Sequence, residues 1–173
     1  MSPAQRRYLL VEQGIGAAIF NFVLNAAIAW LVFRSQDAVP LWGDRSIAGD
    51  TIATSMILPF LTTLIVTPTA RRQVRTGRVV SLGWTRATHP TLGWLPRGTL
   101  ARAFVLGVVC AVVLSPLTLL VLAMLHVADL GLGRFVVFKA SFAAFEALLV
   151  TPVVSLWAIA EAPRTAAPAR AAS

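Results

Sequence analysis

The sequence predicts an all-α integral membrane protein built as a four-helix bundle. Charge is scarce: 13% of the 173 residues are charged and 57% are hydrophobic, where a soluble domain carries about 25% charge. Mean hydropathy is +0.77, which places the chain in the membrane class. Four separate stretches each hold the roughly 20 mainly apolar residues that a spanning helix needs, and arginines gather at their ends. The reading is one transmembrane domain over residues 1–173.

The first span covers about residues 10–34, with "GIGAAIFNFVLNAAIAWLVF" at its heart. Arg6 and Arg7 precede it, and Ala27-Ile28-Ala29 resembles a signal-peptidase site. The apolar run is too long for a signal peptide and contains Asn21 and Asn25, so an anchor helix that stays in place is expected. The second span, 51–70, is the weakest because threonines, a serine and two prolines dilute it. A re-entrant or tilted segment is the alternative there. The third, 103–128, lies between Arg102 and Asp129, and the fourth, 135–160, between Arg134 and Glu161.

Orientation follows from the arginines. The loop 71–102 holds Arg71, Arg72, Arg75, Arg78, Arg86, Arg97 and Arg102 and no acid. Basic loops stay in the cytoplasm, which is where this reading puts both termini, this loop and the tail 161–173, on the cytoplasmic side of a bacterial inner (plasma) membrane. The net charge of +8 therefore reads as topology and as contact with anionic lipid headgroups, not as a nucleic-acid surface. In the same loop Leu-Gly-Trp occurs at Leu82-Gly83-Trp84 and again at Leu92-Gly93-Trp94. Trp84 and Trp94, with Arg71, Arg72, Arg75 and Arg78, form an expected lipid or partner interface.

A shift of 84 residues lays Leu64-Ile65-Val66-Thr67-Pro68 over Leu148-Leu149-Val150-Thr151-Pro152, and Gly14, Ala17, Phe20 and Ala27 over Gly98, Ala101, Phe104 and Ala111. Spans one and two would then repeat as spans three and four, a tandem of two transmembrane hairpins in parallel orientation. Pro59, Pro68, Pro116 and Pro152 are expected kinks, each freeing the carbonyl four residues earlier. Small residues recur at helical spacing in span one (Gly14, Ala18, Asn21, Asn25, Ala29), span three (Gly107, Ala111, Ser115) and span four (Ala143, Ala147, Thr151, Ser155), and they predict the packed faces.

Glu146 is the residue that points to chemistry. A carboxylate at the centre of a span costs about 2.5–3.5 kcal/mol on insertion scales, so it should face the interior. Lys139 lies seven residues earlier, about 10 Å along the axis, too far for a direct pair. The expected partners are Asn21 and Asn25 at similar depth, with Thr62 and Thr63 of span two. Glu12 is expected at the interface, facing Arg102 or another loop arginine.

The chain has no glycine-rich phosphate loop, no His-x-x-x-His, no nucleophile elbow, and a single cysteine, Cys110. No cofactor or metal is implied, and enzyme chemistry is not expected. His89 and His126 fall on opposite sides of the membrane in this topology. The sequence supports two function classes. One is an oligomeric transport or permeation protein with an intramembrane carboxylate. The other is an accessory or assembly protein, homo-oligomeric or bound to a partner membrane protein, whose polar residues hold helices together.

Overall fold

The computed structural model describes residues 3–82, 84 and 96–162. Trp94, Arg86, His89 and most of the tail 161–173 lie outside the described residues. Among the described residues four helices are long and apolar enough to cross a membrane: α1 (Gln5–Phe33), α2 (Ile47–Arg75), α3 (Thr99–Met124) and α4 (Leu132–Ala160). All four begin before the stretches expected from hydropathy. The extra turns are partly polar, because intrahelical bonding continues to satisfy the backbone beyond the apolar run.

The helices do not contribute equally. α1 packs along α4, α3 packs along α2, and α2 and α4 pack on each other. The buried face of α4 accordingly runs from Phe135 to Ala160, and that of α2 from Ile47 to Val74. α1 keeps Ile19, Phe20 and Val23 exposed, and α3 keeps Val112, Leu120 and Met124 exposed, the surface a lipid-facing helix presents. The small-residue stripes mark the contacts. Gly107 sits so close to α2 that an added Cβ would lie 2.7 Å from the Met56 carbonyl oxygen, and a Cβ on Gly14 would lie 3.3 Å from Leu148 and 3.4 Å from Pro152.

Span two lies within one continuous helix, Ile47–Arg75. Ser46 caps its start by accepting from the Gly49 amide at 3.2 Å, satisfying one of the first orphan donors. The helix runs on through Pro59 and Pro68, as α3 does through Pro116 and α4 through Pro152. Two threonines of α2 bond carbonyls one turn back, Thr63 to Pro59 at 2.8 Å and Thr69 to Ile65 at 2.8 Å, and not the carbonyls that the prolines free.

Two features depart from a plain helical bundle. α1 is π-helical over Tyr8–Ile15. The loops after α1 and α3 also meet as a two-stranded antiparallel ribbon, β1 (Ala38–Pro40) with β2 (Asp129–Gly131), Val39 opposite Leu130. Short extended segments carry unpaired backbone groups, and pairing satisfies them. Leu41 N donates to Ala128 O at 2.8 Å and Leu132 N to Asp37 O at 3.0 Å, extending the ribbon. Beneath it Val39, Ile47, Leu122, Phe33 and Phe135 form an apolar cluster, the two rings 4.6 Å apart.

At the opposite, arginine-rich end, Ser81, Leu82 and Trp84 bond to the last turn of α4 and the residues just past it. Leu82 N donates to Ile159 O at 3.4 Å, Trp84 N to Ala160 O at 3.0 Å, and Ser81 Oγ to Ala162 O at 2.6 Å. The last carbonyls of a helix have no partner of their own, so this segment closes α4.

Gly107→Ala should lower stability by about 1–3 kcal/mol, the usual cost of overpacking, because the obstacle is backbone. Gly133→Ala, where an added Cβ meets nothing within 4 Å, should be neutral. Thermal unfolding in detergent followed by circular dichroism separates the two.

Candidate functional site

Three carboxylates divide the α2–α4 pair by depth. At the ribbon end Asp50, in the first turn of α2, forms an ion pair and hydrogen bond with Lys139 of α4. Both are nearly buried, with side chains 13% and 7% exposed. An acid in the first turn of a helix is favoured by the helix dipole. Lys139 therefore does not reach out to the interface as a solitary cation would, and it is not the partner of Glu146.

At the arginine-rich end Glu161, just past α4, is held by Arg102. The guanidinium donates from Nη1 to Oε2 at 3.1 Å and from Nη2 to Oε1 at 3.0 Å, and also reaches the Pro96 carbonyl at 3.2 Å. Arg71 adds a longer contact at 3.5 Å. Such a forked pair is the strong form of a charge-assisted bond. It places positive charge where the α4 dipole is negative and ties α2, α3 and α4 together. Glu12 is not the partner of Arg102. It is exposed on α1.

Glu146 lies between these two pairs. Its side chain is 0% exposed, and neither carboxylate oxygen has a hydrogen-bond partner. The expected partners turn elsewhere. Asn21 Nδ2 donates to Ala17 O at 2.9 Å and Asn25 Nδ2 to Asn21 O at 3.0 Å. Thr63 bonds the Pro59 carbonyl. Thr62 is half-buried on α2 with Asn21 half-buried on α1, while Asn25 and Thr63 are buried. A polar side chain in a helix can always bond the carbonyl one turn back, and here that local choice wins. The pairing of Glu146 with Asn21, Asn25, Thr62 or Thr63 is thus not formed.

Other polar atoms share its isolation. The hydroxyls of Thr51 and Ser55 on α2, Ser115 on α3 and Thr151 on α4 are buried without partners. Cys110 of α3, buried and unoxidised, lies within electrostatic reach of Glu146. Further toward the arginine-rich end, Ser155 Oγ donates to Gln13 Oε1 at 2.9 Å, linking α4 to the π-helical part of α1. Buried polar groups are nearly always satisfied, so a buried carboxylate with neither oxygen partnered calls for an ion, a proton or water.

The surface residues read from the sequence fall at the arginine-rich end. Arg72, Arg75 and Arg78 are exposed, Arg71 is half-buried against Glu161, and Trp84 is half-buried where its backbone closes α4. The sequence reading missed the Lys139–Asp50 and Arg102–Glu161 pairs. The available signal was that in the four-span reading both members of each pair fall at the same end of the bundle. Among the described residues no three His, Cys, Asp or Glu side chains gather as a metal site.

Fold and site define a class: a small four-helix protein with membrane-spanning helix lengths and a lone carboxylate buried between two ion pairs. The chain matches no protein-family model, no curated protein and no solved structure.

Lys139→Met alone should destabilise the protein by about 3–5 kcal/mol, because Asp50 is left buried and uncompensated. Lys139→Met with Asp50→Asn should recover most of that loss. Unfolding titrations of both single variants and the double variant in mixed micelles give the coupling energy.

Proposed function

We propose that this is a small transport or permeation protein of a bacterial inner membrane, with Glu146 taking up a proton or a small cation on its way across. The observation that carries the reading is a fully buried carboxylate with two unpartnered oxygens. Ionisable groups at membrane depth are costly, and they mark ion or proton pathways more often than they serve as packing. Buried hydroxyls without partners also occur on α2, α3 and α4, at Thr51, Ser55, Ser115 and Thr151. In this reading both termini and the arginine-rich loop are cytoplasmic, on the strength of the arginine distribution.

The molecule is further proposed to be a tandem of two hairpins related by a pseudo-two-fold axis along the membrane normal. α2 and α4 are each 29 residues long. Exchanging α1 with α3 and α2 with α4 maps the contacts α1–α4 and α3–α2 onto each other and leaves α2–α4 in place. The antiparallel pairing of β1 with β2 is likewise unchanged by the exchange. Four helices of this kind enclose little space, so the working form is an oligomer. The second reading, an accessory protein in which Glu146 is only packing, is supported by the tight burial of Ala143 and Ala147 beside it.

The two readings part in proteoliposomes loaded with a pH-sensitive dye. For a transport protein, wild type dissipates an imposed proton or sodium gradient and Glu146→Gln slows this at least tenfold while keeping the helical spectrum. No flux in wild type, together with higher stability in Glu146→Leu, would select the accessory reading.

A further inference from the structure

A cavity of about 590 Å³ opens at the arginine-rich end, between the π-helical start of α1 and the chain leaving α2. It is remote from Glu146, and its walls are chemically mixed. Arg7 and Arg78 bring two guanidinium groups, and Glu12 brings one carboxylate. Tyr8 and Gln73 also line it. Tyr8 is only 5% exposed, yet its hydroxyl has no hydrogen-bond partner, and neither has Gln73 Oε1. Glu12 lies within electrostatic reach of the Tyr8 hydroxyl. The far wall is fixed, because Gln5 Nε2 donates to the Val80 carbonyl at 2.9 Å and holds the strand of chain after α2 across the opening.

The donor and acceptor set describes its ligand. Two guanidiniums call for an anion with several oxygens, and arginine suits phosphate. The Glu12 carboxylate and Gln73 Oε1 both accept, so they call for a group with several N–H donors, which an ammonium has. The Tyr8 hydroxyl can donate to a phosphate oxygen or accept from the ammonium. A phosphate joined to a primary ammonium by a short linker meets all of these at once. The surroundings point to its source. Val80, in the cavity wall, is 72% exposed, which gives an apolar edge at the mouth. Irregular π-helical turns of this sort are frequent at functional sites.

We propose that this cavity binds the phosphoethanolamine headgroup of a membrane phospholipid, with the phosphate on Arg7 and Arg78, the ammonium on Glu12 and Gln73, and an acyl chain leaving over Val80. The inference rests on the membrane reading of the four helices but not on any role for Glu146.

The test is native mass spectrometry of the full chain released from nanodiscs holding equal parts phosphatidylethanolamine, phosphatidylglycerol and phosphatidylcholine. Phosphatidylethanolamine should be retained at least tenfold over the other two. Glu12→Gln should abolish the preference over phosphatidylcholine, whose trimethylated nitrogen has no N–H to give. Arg78→Gln, at an exposed position, should reduce retention of all three, and Tyr8→Phe should weaken it further. Glu146→Gln should leave the preference intact, which separates this site from the transport reading. Equal retention of phosphatidylcholine, or a preference that survives both Glu12→Gln and Arg78→Gln in folded protein, would overturn the proposal. Soluble phosphoethanolamine binding as tightly as the lipid would overturn the lipid source.

Discussion

A charged side chain taken out of water costs several kcal/mol unless a partner is buried with it, and α4 and its flank carry three such groups. Lys139, Glu146 and Glu161 are spaced along or just past one helix that is buried over its length. Two of them bring a partner from a different helix. Asp50 answers Lys139 from α2, and Arg102 answers Glu161 from α3. These two pairs fix the ends of α4 against its neighbours, and the rest of the packing is consistent with them. Breaking either would leave a bare charge in an apolar setting, which is a far larger penalty than losing an exposed surface pair. Glu146 is then the exception in an otherwise compensated set.

That contrast gives Glu146 its meaning. A helix able to recruit Asp50 and Arg102 to its ends is not short of ways to satisfy a carboxylate. Asn25 is buried on the helix that packs along α4, and its amide still bonds its own helix. The hydroxyls of Ser55, Ser115 and Thr151 are likewise left open. Glu146 can take up a proton without dismantling any bond already made. The small residues beside it let α1, α2 and α4 approach closely, and in the proposed transport role the two ion pairs would hold the frame while Glu146 gains and loses a proton.

Much of the fold was legible in the sequence, because long apolar runs bounded by arginines have few other outcomes. The packed faces were legible as well, since glycine, alanine and serine at helical spacing mark close approach, and Gly107 against Met56 is the tightest case. The burial of Glu146 followed from one acid among apolar neighbours. Its partners did not follow, because whether an asparagine bonds across to another helix or back one turn is a contest of local geometry that residue type does not decide. The Lys139–Asp50 and Arg102–Glu161 pairs depend on which helix lies beside which, and hydropathy carries no such information. The π-helical stretch and the three-residue strands arise from tertiary closure, and nothing in Tyr8–Ile15 or Ala38–Pro40 announces them.

The most direct measurement is modification of the protein in proteoliposomes by an apolar carbodiimide, which reacts with protonated carboxyls shielded from water, followed by peptide mass spectrometry and gradient dissipation on the same sample. If Glu146 is the working group, a single adduct forms there and flux falls in proportion to its occupancy. Flux that persists in fully modified protein, or an adduct confined to Asp50 or Glu161 with Glu146 untouched, would contradict it.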